Sequence, residues 1–350
     1  MPSTLQRARE IAAADRSDPS WVPEPPVELP PGRVVHVPGR GEVFIRDTGG
    51  DGPVVLLLHG WCVSADINWF TTYAPLAAAG YRVLAIDHRG HGRGLRSPAP
   101  FRLVDCADDA AGLLRTLGAG PVTAVGYSMG GPIASLLARS HPDQISGLVL
   151  CATAPDWSHP RMKRIWRSMA AFRGVLGVAP NASWRRALRL VGFPDSPRTT
   201  WTAAELTRGS AKDIAEAGRE LGRYDARPWL STLKVPAAVV VTSDDTAVPV
   251  YKQRELAELL GAGVFVAPGD HGSVVAEYER FNARLLEALA QVGAKTPVVV
   301  ARATPSPSGA TCRSAGSGSA PCASPAPGSG ASPPTRTSAA GCCGGRSSSA

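Results

Sequence analysis

The sequence predicts an α/β protein. Its core is a largely parallel eight-stranded sheet, covered by helices on both faces and interrupted by one helical insertion. Two patterns carry this expectation. Short apolar runs, as in strands buried on both faces, alternate with helix-length stretches. The alternation stops between residues 152 and 234, where only helical patterns occur. A chain of 350 residues with 44% apolar residues has room for one large domain carrying such an insertion.

In chain order, residues 1–14 are helix-compatible, and residues 17–32 form a proline-rich linker or arm. The compact domain is expected over 33–292. Residues 34–37 and 42–47 read as a hairpin of two edge strands. Continuous apolar runs at 54–58, 82–86, 122–125, 148–151, 237–241 and 264–266 read as buried strands. Helical patterns fall at 70–79, 103–117, 133–139, 252–260 and 274–292. Those of the insertion fall at 161–176, 183–191 and 203–221. Residues 293–350 form a tail that soon becomes Ser, Ala, Gly, Pro and Cys almost throughout. From 302 it cannot bury enough apolar surface to order itself, and its composition resembles out-of-frame translation of a G+C-rich gene.

The formal charge is +8. The insertion, at about 152–234, holds fifteen Lys/Arg against seven Asp/Glu, so the basic balance is concentrated there. A solvated helical face is the preferred reading. The functional alternative is attraction to an acidic substrate or weak contact with an anionic membrane surface; Trp166, Met169 and Phe172 recur at helical spacing beside Arg164, Arg167 and Arg173, as in an interfacial helix. The plainer reading of that stripe is the insertion's own packing face. Nucleic acid is not expected as a partner, since no binding motif accompanies the charge. Residues 1–20 lack the apolar core of a secretory signal, and no stretch approaches a membrane span. The expected location is therefore the cytoplasm. Cys62, Cys106 and Cys151 are scattered through the expected core, and the other four cysteines lie in the tail. No pair has zinc-ligand spacing with histidines, so no metal is expected.

Gly126-Tyr127-Ser128-Met129-Gly130 carries the chemistry. It follows an expected strand and precedes an expected helix, the setting of a nucleophile elbow. In such a turn the serine is held in a strained conformation, and glycines two residues to either side avoid collisions. A serine hydroxyl needs a base. Of seven histidines, only His271 follows the last expected strand on a turn-rich loop, Gly269-Asp270-His271-Gly272. The base needs a buried carboxylate to orient it. Asp244 and Asp245 both follow the strand at 237–241. Loop neighbours point in different directions, so one acts and the other caps the turn; Asp245 is preferred, with Asp244 left open. The oxyanion hole is assigned to two backbone N–H groups. One is that of Met129 at a helix N-terminus, and the other is that of Trp61 after Gly60. The side chains of Trp61 and Tyr127 are expected to line the substrate pocket.

The order Ser128, Asp245, His271 resembles the α/β-hydrolase superfamily, and within it the subfamily with a helical cap after the sixth strand. The matching motifs are His59-Gly60-Trp61, Asp87-His88-Arg89-Gly90-His91-Gly92, Gly126-Tyr127-Ser128-Met129-Gly130-Gly131, Asp245-Thr246-Ala247-Val248-Pro249 and Asp270-His271. The likeness covers roughly residues 33–292. It implies a Ser128–His271–Asp245 triad and no metal or cofactor. The family places its acid four residues before such a proline, which favours Asp245. One departure stands out. The family shows a serine soon after the glycine at 92, whereas here Arg93-Gly94-Leu95-Arg96 precedes Ser97. This is expected to alter the loop and not the triad.

The resulting expectation is a serine hydrolase, esterase- or lipase-like, that cleaves an apolar acyl ester or a monoacylglycerol-like substrate through an acyl-enzyme. A cofactor-free perhydrolase, a C–C bond hydrolase or an acyltransferase would use the same triad. Epoxide hydrolases and dehalogenases would need an aspartate at position 128. A non-catalytic ligand-binding protein is the alternative of another class. The sequence leaves the oligomeric state open.

Overall fold

Strands form where β-branched and leucine residues run together, and the structure, a computed structural model, describes residues 23–158, 160–190 and 192–295. The helix expected at 1–14, the start of the proline-rich linker and the tail from 302 lie outside the described residues. Eight strands form one sheet: β1 (Gly32–Val37), β2 (Gly41–Asp47), β3 (Val54–Leu58), β4 (Arg82–Ile86), β5 (Val122–Tyr127), β6 (Ile145–Cys151), β7 (Ala237–Thr242) and β8 (Gly263–Ala267). Their spatial order is β1-β2-β4-β3-β5-β6-β7-β8. Only β1–β2 and β2–β4 pair antiparallel; the other pairs are parallel.

Side chains alternate across each strand, which builds two separate cores. Leu56, Leu58, Leu84 and Leu148 face one side, with Leu113 and Ile133 from helices packed on them. Val55, Leu57, Val125 and Val149 face the other, under Trp69 and Phe281. The covering helices are α1 (Ala65–Trp69), α2 (Tyr73–Ala78), α3 (Leu103–Leu117) and α4 (Gly130–Ser140). Between β6 and β7 lie α5 (Pro160–Arg167), α6 (Met169–Val178), α7 (Pro180–Leu190), α8 (Pro197–Thr207) and α9 (Ala211–Leu221). After β7 come α10 (Val250–Leu260), α11 (Ser273–Ala276) and α12 (Tyr278–Lys295).

Four details differ from the sequence reading. First, β2 is not an edge strand, because β4 pairs along its free side. Second, β8 is not buried on both faces: it ends the sheet, and Val264 and Val266 are exposed. Third, the helix expected at 70–79 is the shorter α2, and α1 precedes it unforeseen, starting where Ser64 accepts a hydrogen bond from the Ile67 N–H. Fourth, the long insertion helices are broken. Ser168 separates α5 from α6, and Ser210 caps α9 by accepting from the Asp213 N–H at 3.2 Å. Serine competes with the helix for backbone hydrogen bonds, which an apolar periodicity does not reveal.

The insertion sits on a third cluster, made by Ile67 and Phe70 of the α1 region with Leu176, Trp184, Trp201, Leu206 and Ile214. Trp166 and Met169 are buried and Phe172 is half-buried, so that stripe is the insertion's packing face. Arg93, the departure noted in the loop after β4, reaches two ways. It pairs with Asp66 at 3.1 Å and with Glu205 of α8 at 2.7 Å. Among the described residues, no helix is long and apolar enough to cross a membrane.

Candidate active site

Ser128 sits between β5 and α4 with φ +52°, in the left-handed region that an L-residue rarely adopts. The turn is enforced by close packing. A Cβ on Gly126 would collide with the Gly130 carbonyl, and one on Gly130 with the Leu58 carbonyl. The Ser128 N–H donates to the Cys151 carbonyl at 2.9 Å, and its carbonyl accepts from the Thr153 hydroxyl at 2.7 Å. The backbone is therefore pinned on both sides while the hydroxyl stays free to point away. The Ser128 hydroxyl lies 3.0 Å from His271 Nε2.

His271 follows β8, and its Nδ1 lies 2.8 Å from Asp245 Oδ2. Asp245 is buried after β7. Its Oδ1 accepts from the Ala247 and Val248 N–H groups at 2.9 and 2.8 Å, and its Oδ2 accepts from the Thr242 hydroxyl at 2.8 Å. Burial alone would push this carboxyl up. The hydrogen bond from His271 and those from Val248 and Thr242 outweigh it and hold the group below the usual carboxylate range. A carboxylate that stays charged makes Nδ1 the protonated nitrogen and leaves Nε2 as an acceptor for the serine proton. Asp244 is exposed and accepts from the Ser243 hydroxyl at 2.8 Å. Of the two candidates, Asp245 is the one that meets the imidazole.

The sequence reading gave the oxyanion role to the backbone N–H groups of Trp61 and Met129. Met129 stands at the N-terminus of α4, where the helix dipole favours negative charge. The Trp61 loop approaches closely, since a Cβ on Gly60 would lie 3.4 Å from the Ser128 Cβ. Two residues that the sequence reading passed over hold this loop. His59 is buried; its Nδ1 lies 2.8 Å from the Gly60 carbonyl, and its Nε2 accepts from the His88 N–H at 3.0 Å. A carbonyl only accepts, so Nδ1 carries the proton. Burial, followed by His88 and His91, holds the His59 imidazole well below its usual range and thus neutral. The Gly60 carbonyl belongs to the same peptide as the Trp61 N–H, so His59 sets the direction of that N–H. Asn68 Oδ1 accepts from the Gly60 N–H at 2.9 Å. The histidine before Gly60 was a visible signal. Asn68 was not, because α1 was unforeseen.

The Trp61 indole reaches into the insertion. Its Nε1 donates to the Ile214 carbonyl of α9 at 2.7 Å, and its ring meets Trp166 and Phe172 at 5.3 and 5.6 Å between centroids. Tyr127 does not line a pocket, contrary to expectation. It is the residue before the elbow and points to the opposite side of the sheet. There it is buried against Trp69 and Phe281, and its hydroxyl donates to the His271 carbonyl at 2.7 Å. It supports the His271 loop from below. Among the described residues, no group of three or more His, Cys, Asp or Glu could hold a metal ion.

Comparison with known proteins identifies the family. Residues 53–276 match the family model of the alpha/beta hydrolase fold. The pimeloyl-acyl-carrier-protein methyl ester esterase of Chromobacterium violaceum is 33% identical over 225 residues, which cover 61% of this chain and 84% of that one. A bifunctional esterase/perhydrolase of Acinetobacter calcoaceticus is 27% identical over 265 residues, covering 70% and 95%. Among solved structures, a thermophilic esterase from Thermogutta terrifontis superposes with a TM-score of 0.63 at 25% identity, covering 75% of this chain and 99% of that one. With its sheet order, its elbow and a family match over more than half of its length, the chain belongs to the alpha/beta-hydrolase family.

Proposed function

We propose that the protein is a serine hydrolase of carboxylic esters. The observation that carries this is the unbroken relay from the strained Ser128 hydroxyl through both nitrogens of His271 to the buried Asp245 carboxylate. His271 Nε2 takes the serine proton as Oγ attacks the ester carbonyl. The Trp61 and Met129 N–H groups receive the charge that develops on the carbonyl oxygen. The tetrahedral intermediate collapses as His271 protonates the leaving alcohol, giving an acyl-enzyme. Water, deprotonated by His271, then attacks the acyl carbonyl, and Ser128 leaves with its proton restored. Asp245 stabilises the imidazolium in both halves.

The aromatic wall formed by Trp61, Trp166 and Phe172 favours an apolar acyl group, with the helical insertion as a cap over it. An esterase name recurs among the relatives, which supports the ester reading. The test is turnover of p-nitrophenyl esters of rising acyl length, with fluorophosphonate labelling, in the wild type and in Ser128→Ala. Turnover and labelling that vanish together in the variant are expected, and the optimum length sizes the pocket. Labelling without ester turnover would replace the ester reading with a perhydrolase, a C–C bond hydrolase or an acyltransferase on the same triad. Neither signal from a folded protein would leave a non-catalytic binding role.

A further inference from the structure

The outward side of the insertion is built unlike the rest of the surface. From residue 160 to 198 the chain has nine Lys/Arg and a single acid, Asp195. Arg189 and Arg185 lie 2.6 and 3.9 Å from that acid. Lys163, Arg164, Arg167, Arg173 and Arg186 are exposed and have no acidic partner among the described residues.

Large apolar side chains are exposed in the same stretch: Leu190 (76%), Val175 (58%), Val178 (52%), Phe193 (52%) and Ile165 (37%). Helix α6 shows why this is unusual. Its Met169, Phe172 and Leu176 pack inward, and its outward side at 171, 175 and 178 is Ala, Val, Val with no polar residue. A helix that faces water is expected to be polar on that side. On α7, the exposed Arg186, Arg189 and Leu190 fall at spacings of three and four, so cations and an apolar side chain share one face.

Cations interleaved with exposed aliphatic side chains match one chemistry better than others. A nucleic acid would use the charge but gains nothing from Val175, Val178 and Leu190. Among the described residues of the stretch, Phe193 is the one exposed ring on which a base could stack. We infer that this face docks on an anionic phospholipid surface. The guanidinium and ammonium groups of α5–α7 meet lipid phosphates, while Val175, Val178 and Leu190 enter the acyl boundary. The inward sides of α5 and α6 carry Trp166 and Phe172 against Trp61, so docking would bring the lipid surface next to the proposed pocket. The docking itself does not depend on the ester reading.

The test is co-sedimentation of the full chain with phosphatidylcholine vesicles, with and without phosphatidylglycerol, over a range of salt. Three proteins are compared: wild type, Arg164→Glu/Arg167→Glu and Val175→Asp/Leu190→Asp. Turnover of a water-soluble ester and near-UV circular dichroism control for folding. Binding is expected only with phosphatidylglycerol and is expected to fall with salt. Each surface cation contributes about fivefold to binding, so the double charge reversal lowers partitioning at least about 25-fold. The aspartate pair lowers it by a similar factor, with circular dichroism unchanged in both. No binding at low salt overturns the inference. So does binding that the charge reversal abolishes and the aspartate pair leaves intact, because that is adsorption by charge alone. Equal affinity for duplex DNA that the aspartate pair leaves unchanged would reassign the face to nucleic acid. A protein that partitions and turns over no ester would lose the proposed function and keep the docking.

Discussion

The site is held from two sides by different means. On the sheet side, Ser128 and Asp245 are fixed mainly through backbone groups: the Cys151 carbonyl holds the elbow, with the Thr153 hydroxyl beside it, and the Ala247 and Val248 N–H groups hold the carboxylate. On the insertion side, apart from the Ser210 N–H donating to the Gly90 carbonyl at 2.8 Å, the ties run through side chains. Arg93 reaches Glu205, the Trp61 indole reaches the Ile214 carbonyl, and Lys252 reaches Asp156 at 2.7 Å. Backbone ties follow from the fold and survive most substitutions. Side-chain ties depend on single residues. The lesson is that chemistry and access can be disturbed separately. Substitutions in the relay should stop turnover in a folded protein, and substitutions in the ties should loosen the insertion while leaving the relay intact.

The largest expected effect tests the first half of that comparison. Asp245→Asn leaves the packing nearly unchanged but favours the wrong imidazole tautomer, and kcat should fall about 10⁴-fold. Steady-state kinetics with an unchanged urea midpoint would confirm it; a fall of less than tenfold would remove Asp245 from the relay. Next comes His59→Ala, which frees the Gly60–Trp61 peptide to turn. Losing one oxyanion donor costs about 10²–10³ in kcat, so a partial loss of about 10–100-fold is expected, with KM little changed. A KM effect alone would mean that the loop shapes binding and not charge stabilisation.

The second half is tested by Arg93→Ala. It leaves Asp66 and Glu205 buried with one fewer cation each, although Arg46 and Arg208 remain within 2.8 Å of them. Breaking a buried pair costs about 3–5 kcal/mol, and the remaining partners should reduce this to about 2 kcal/mol in urea unfolding. Fluorophosphonate labelling should persist. If labelling disappears in a folded variant, the insertion ties are part of the reaction geometry and the comparison fails.

The pH dependence separates the regions again. His59, His88 and His91 are buried behind the site. Burial depresses all three, His88 to about 3 and His91 to about 4, with neighbouring histidines adding to the effect on His59 and His88. A depressed histidine contributes stability that is present above the unfolded value near 6.5 and is lost as pH falls toward the folded value. Each should withdraw about 2 kcal/mol by pH 5. Asp87 opposes this. Burial raises its carboxyl to about 6, so its charging penalty shrinks as pH falls through the same window. Three histidines outweigh one carboxyl, and urea midpoints should drop between pH 7 and 5. A flat profile would mean that these imidazoles have water access.

The sheet, the elbow and the triad order were legible because each rests on a local pattern: apolar runs, glycines at fixed offsets, and turn residues after strands. The insertion was legible as helical but not in detail. Ser168, whose hydroxyl donates to the Ile165 carbonyl, and Ser210, which accepts from the Asp213 N–H, break it through side-chain-to-backbone competition that periodicity does not show. Tyr127 was misread because the elbow reverses the chain. Adjacent residues 127 and 128 face opposite sides, and only the serine enters the site. Arg93 was noticed as a departure in the loop, but its partner Glu205 lies 112 residues away. No local pattern reports a contact at that separation.

The smallest expected effect is the sharpest control. Asp244 and Asp245 are neighbours with the same chemistry and the same formal charge. Asp244 is exposed and bound to the Ser243 hydroxyl, whereas Asp245 is buried and bound to His271. Asp244→Asn removes the same charge from nearly the same place, so any long-range effect on His271 should appear in it as well. Water screens an exposed charge, so kcat should stay within about twofold of wild type. Similar kinetics for the two variants would show that the relay senses the charge of the whole loop. A difference of several orders of magnitude would show that it senses one hydrogen bond, because the direction of the side chain is the main thing that distinguishes the two positions.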